Sequence, residues 1–279
     1  MSRRYDCRPY HPALLDTGEQ HRYRETRRLD TWYSTAASRA VSLSQNGWLC
    51  FPMSKTRLDL KAIEQSLREV QRAFPKINEV LRSQRDSMTD EVVENMMDGY
   101  TFVDKAITDD VHLLLPQHAM SLLELNHVVL CGSDPQVRQE YKRHIDATTR
   151  RFYEQEGYNI DDILRWYHTH CNESPWKRAA GVYVRILSQP QLYIEGNHRT
   201  GALIMSYILV RDGKAPFVLT VENAKAYFDP STLVKNTKKT KVTLLTKLPR
   251  IKTLFSRFLK CQANEAYICG APSPEMPST

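Results

Sequence analysis

The chain has little of what usually classifies a protein at first sight. It contains no run of eighteen or so apolar residues, so no stretch has the length to cross a bilayer as a helix. Met1 to Asp30 is rich in Arg and carries no apolar core, and it reads as neither a secretory leader nor a membrane span. The six cysteines (Cys7, Cys50, Cys131, Cys171, Cys261 and Cys269) are scattered, with no C-x-x-C pair. That pattern argues against a zinc knuckle or a disulfide scaffold and fits a reducing compartment. The expectation is a soluble, cytoplasmic protein, with secretion by an unconventional route left open. Neither the dinucleotide-binding glycine fingerprint nor a P-loop lysine is present. Two-residue alternation of apolar and polar positions is scarce, and no internal repeat is visible, so a mainly α fold with little β is expected.

What is present bounds the rest. At 279 residues, the chain can build an ample core as one large domain or two small ones. A net charge of +7 and a pI near 9.0 allow an acidic partner, nucleic acid or an anionic membrane surface. An excess this mild is more often plain solubility. His168 and His170 form the only close histidine pair and read as a helix surface feature rather than a metal site.

Composition divides the chain into an arm over 1–50, a helical domain over 51–230, a basic helical extension over 231–269 and a polar tail over 270–279. Apolar spacing predicts a helix from Leu58 to Phe74, closed by Pro75. Further helices are expected over Thr89 to Ile107, Gln117 to Cys131, Ile160 to Tyr167 and Pro175 to Ser188. A short helix around Ala224 and Tyr227 should stop at Asp229-Pro230. Lys235 to Lys260 reads as one basic amphipathic helix, more readily a cover for the core than a contact for an anionic partner or membrane.

The chemistry concentrates in one stretch, Gln191-Leu-Tyr-Ile-Glu195-Gly-Asn197-His-Arg199-Thr-Gly-Ala202. A polar turn here opens directly into the apolar run Ala202 to Val210. The first N–H groups of a helix lack intrahelical partners and carry partial positive charge, so such a turn can hold phosphate. Gly196 lets the backbone come close, Arg199 can clamp phosphate, and Glu195 can ligate a Mg²⁺ that bridges phosphate oxygens. The plainer alternative is an ordinary helix start capped by Asn197.

These residues resemble the signature of the Fic (Fido) family, H-P-F-x-[DE]-G-N-[GK]-R. Tyr193 falls at its aromatic position, Glu195 at its acid, and Gly196, Asn197 and Arg199 at its G, N and R. Gln191 replaces the family's catalytic His and Leu192 its Pro. His198 stands at the Gly or Lys position, and Ala202 at the second Arg of the nucleotide-transferring branch. The order of helices over roughly residues 90 to 230 is also similar to the family's.

The resemblance implies a Fic-like helical domain that binds ATP or another nucleotide with Mg²⁺. Gly196, Asn197, His198, Arg199 and Thr200 would hold phosphate, Glu195 would hold the metal, and Gln191 and His198 would occupy the catalytic positions. Asp90-x-x-x-Glu94-Asn95 looks like a variant of the family's inhibitory motif, which makes Glu94 the candidate inhibitory acid. His127, in a helix that resembles the one ahead of the family's active site, reads as a packing residue. Over Asp134 to Tyr158, where the family has a target-aligning hairpin, a hairpin and a helix are both open. With the base lost, transfer of a nucleotidyl or phosphoryl group to protein hydroxyls should be weak or altered. A protonated His198 would place a cation against phosphate and favour γ-phosphoryl transfer at acidic to neutral pH. The other readings are a catalytically inactive Fic-fold regulator and an all-α interaction module.

Overall fold

A computed structural model describes residues 56–269; the expected arm over 1–50 and the tail over 270–279 lie outside the described residues. The fold is mainly α, and among the described residues no helix is long and apolar enough to cross a membrane. In chain order the helices are α1 (Leu60–Glu79), α2 (Asp90–Thr108), α3 (Ala119–Cys131), α4 (Pro135–Glu140) and α5 (Lys142–Glu154). They continue with α6 (Ile160–Thr169), α7 (Pro175–Leu187), α8 (Asn197–Arg211), α9 (Ala224–Lys235), α10 (Lys241–Leu245) and α11 (Lys247–Cys261). Two short strands, β1 (Arg57–Leu58) and β2 (Ile268–Cys269), pair antiparallel with Arg57 opposite Cys269.

Helix α8 is the hub. Every residue from Thr200 to Val210 is buried, as a helix apolar on all sides requires. It lies against α7, α2 and α3. Close approach is bought by small residues: an added Cβ would stand 2.8 Å from the Tyr183 ring at Gly201 and 2.4 Å from Leu203 at Gly99. Helix α11 covers the far side of α7, with Phe255 packed 5.1 Å from Tyr183 between ring centroids. The segment 231–269, expected as an extension, therefore shares the same core, to which Val234, Leu248, Ile251, Phe255 and Leu259 belong.

Three local expectations are corrected. Pro75 lies inside α1 rather than ending it, because the last turn buries Ile77 in a cluster with Val70 and Phe74. Pro230 likewise lies inside α9, where the turns beyond it bury Ser231 and Val234. Each proline costs a backbone hydrogen bond, and burial outweighs it. The basic run after Lys235 is not one helix: residues 237–239 run extended beside Gln189, with the Gln189 N–H donating to Thr237 O at 2.8 Å and the Lys239 N–H to Gln189 O at 2.6 Å.

Candidate functional site

The start of α8 is set apart by its backbone. Several other helices, α3, α7 and α11 among them, also begin without a side-chain cap, but no other helix described begins at a residue of positive φ. Asp59, Thr89, Asp134 and Asn159 each accept a first-turn N–H of the helix they cap. Helix α8 begins at Gly196, in the left-handed region with φ 72°, and like those of α3, α7 and α11 its first turn has no side-chain cap. A substituent at Gly196 would meet the Asn126 amide at 2.8 Å. That amide nitrogen donates to Glu195 O and to Thr200 Oγ1, each at 3.0 Å, and fixes the turn from below.

Asn197 is not the cap that the plainer alternative supposed. Its Oδ1 accepts the Tyr193 N–H at 3.0 Å and its Nδ2 donates to Tyr193 O at 2.9 Å, closing the loop on itself. The side chains of Asn197 and Thr200 are thus already engaged, and only their positions in the first turn remain available to a ligand. Glu195 is exposed at the rim, with no ion pair among the described residues. No group of three metal-ligating side chains exists among them either. One free carboxylate suits a Mg²⁺ that arrives on phosphate and keeps its waters, not an ion held in a protein cage.

Arg199 is half-buried. It donates from Nη1 to Val129 O at 2.9 Å and makes no ion pair among the described residues. Burial lowers its pKa, opposed by the charges of Glu195 and Glu91. The acid of α2 that bears on Arg199 is therefore Glu91. Glu94, the expected inhibitory residue, is largely exposed and lies 3.9 Å from Arg68.

Beside this helix end lies a cavity of about 270 Å³, walled by side chains such as Phe74, Met96, Tyr100 and Phe228 and bordered by Gly196 to Arg199. Arg85 also lines it. Its Nη2 donates to Thr232 Oγ1 at 2.9 Å, its guanidinium lies 4.5 Å over the Phe228 ring, and its buried Nε has no partner.

His198 borders the same cavity. Its Nδ1 faces Tyr183 Oη at 3.2 Å, and its buried Nε2 has no partner. Burial, then Arg85 and Lys235, pushes its pKa down to about 3, so without an anion beside it the imidazole is neutral. Its tautomer follows from counting protons. Ser231 Oγ donates to Tyr227 O and Tyr227 Oη to His198 O, which leaves Tyr183 one hydroxyl proton for several neighbours. Most bonds form when His198 donates from Nδ1 to Tyr183, which leaves the lone pair on the buried Nε2.

Gln191 is turned away from catalytic use. Its Nε2 donates to Leu187 O at 3.1 Å, while its own carbonyl accepts from Arg151 Nε at 2.8 Å. The neighbouring Pro190 carbonyl accepts from the buried Lys239 Nζ at 2.6 Å. Burial and then the Arg185 charge lower the Lys239 pKa to about 7, with Asp162 opposing. The loop is thus held by cations from two distant segments, and nothing in the motif announces either. Residues 135–154 are helical, in α4 and α5, and supply no hairpin beside the loop. His127 is buried within α3, 3.6 Å from Glu124, as a packing residue should be.

No known family model, curated protein or solved structure matches this chain. The chemistry of the site is that of its own side chains.

Proposed function

We propose that this protein binds a nucleotide, ATP for preference, with its phosphates at the N-terminus of α8 and its base in the adjoining cavity. In this reading Mg²⁺ comes with the phosphates, held by Glu195, and supplies charge neutralisation. One observation carries the reading: Arg199 is a partly buried guanidinium without an ion pair among the described residues, beside a helix end that begins at a left-handed glycine and has no side-chain cap. A half-desolvated cation left in that state favours an anionic ligand. Arg199→Ala is expected to lower affinity for Mg·ATP by about 1.5–3 kcal/mol in titration calorimetry. Equal affinity in wild type and variant would remove the site.

Transfer of a nucleotidyl or phosphoryl group to a protein hydroxyl, the activity that the Fic resemblance implies, needs a base to take the hydroxyl proton. Gln191 has no titratable nitrogen, and losing a general base costs roughly 10²–10⁴ in rate. Its amide is also engaged with Leu187 O, which favours a binding or regulatory protein over an efficient transferase. Gln191→His is expected to gain transfer of label from ATP to the protein itself or to a hydroxyl-bearing partner. A variant that binds Mg·ATP normally but transfers nothing would show that the deficit lies elsewhere than position 191.

A further inference from the structure

The segment from Pro230 to Asn264 contains nine Lys and Arg residues and no Asp or Glu. Lys239 is buried in the loop contact, and Lys252 pairs with Glu173 at 2.7 Å. The other seven (Lys235, Lys238, Lys241, Lys247, Arg250, Arg257 and Lys260) are exposed and make no ion pair among the described residues. Interleaved with them are three of the most exposed aliphatic side chains described: Val242 at 69%, Leu245 at 81% and Leu254 at 61%. In α11, Leu248, Ile251, Phe255 and Leu259 form the core stripe, and Lys247, Arg250, Leu254 and Arg257 take the side turned away from it.

We propose that α10 and the outer side of α11 dock on a membrane surface that contains anionic lipid. Lysine and arginine ammonium and guanidinium groups would meet the lipid phosphates and carboxylates. Val242, Leu245 and Leu254 would enter the boundary between headgroups and acyl chains, the arrangement of an interfacial basic helix. Two other occupants fit less well. A nucleic acid offers aliphatic side chains nothing to enter, and a single strand calls for aromatic platforms. The aromatics of this segment, Phe255 and Phe258, are instead packed inward near Tyr183 and Tyr227. A second copy of the chain would bring seven like charges against seven.

The test is flotation of the full chain with vesicles of phosphatidylcholine, alone or with about one third phosphatidylserine, at low and high salt. Binding is expected only to the phosphatidylserine vesicles, and salt should weaken it. Leu245→Glu with Leu254→Glu, and separately Arg250→Glu with Arg257→Glu, should each lower the bound-to-free ratio by at least about tenfold. All four positions are exposed, so circular dichroism should show unchanged helix content. Equal binding to both vesicle types overturns the proposal. So does charge-variant loss without leucine-variant loss, tighter retention on RNA than on vesicles, or a concentration-dependent dimer that the leucine variants abolish. Nucleotide binding plays no part in any of these outcomes.

Discussion

Acidification is expected to destabilise the protein well before its carboxylates are neutralised, and His198 is the main cause. In the unfolded chain its imidazole takes up a proton below about pH 6.5, whereas in the folded protein it resists protonation until about pH 3. The unfolded state therefore binds more protons throughout that window. The stabilising contribution is complete above about pH 6.5 and is lost as the pH falls. At pH 4 the loss from this one group is on the order of 3 kcal/mol, a large part of an ordinary folding free energy. His112 adds a smaller share in the same direction: burial, then Arg211 and His168, lowers its pKa to about 4. Urea midpoints measured between pH 7 and pH 4 should fall steeply, and His198→Gln should flatten the slope. If wild type and variant lose stability in parallel, the histidine is not responsible.

The Gly196→Ala substitution should damage the fold and the site together. A left-handed backbone costs a residue with a Cβ about 1–2 kcal/mol, and φ here is 72°. The new methyl would also press on the Asn126 amide, whose bonds to Glu195 O and Thr200 Oγ1 shape the turn. Leaving those acceptors unpaired adds about 1–3 kcal/mol. A combined loss of about 2–5 kcal/mol is expected in chemical denaturation, with Mg·ATP affinity falling as the helix end is displaced. A variant as stable as wild type would mean that the turn accepts a side chain and that Asn126 is not its anchor.

The position of the loop and of the helix that follows it was legible in the sequence. A polar glycine turn ahead of an apolar run with no polar face reads as the start of a buried helix, and α8 is one. The helices over 90–108, 119–131, 160–169 and 175–187 were legible for the same reason of periodicity. What each loop side chain does was not. Asn197 and Thr200 are polar enough to bind phosphate or cap a helix, but contacts with Tyr193 and Asn126 decide their use. Arg85 stands in an unremarkable polar turn, and only the fold brings it beside His198. The prolines at 75 and 230 mislead because a local helix breaker says nothing of the apolar surface that the next turn will bury. Lys239 is one lysine among many until residues 237–239 run alongside Gln189.

The pairing of β1 with β2 has a topological consequence. Leu58 O accepts from Cys269 Sγ across a separation of 211 residues, and the Asp59 N–H donates to Tyr267 O at 2.9 Å. Asp104 fastens the same corner, with Oδ2 accepting from Arg57 at 2.6 Å and Oδ1 from the Leu58 N–H at 2.9 Å. The first and last described strands thus meet at a single corner and close the described helices into a loop. Closing a loop of that length costs only about 0.6 kcal/mol more chain entropy than closing one half as long, so a two-residue strand pair with an ion pair beside it is a sufficient clasp.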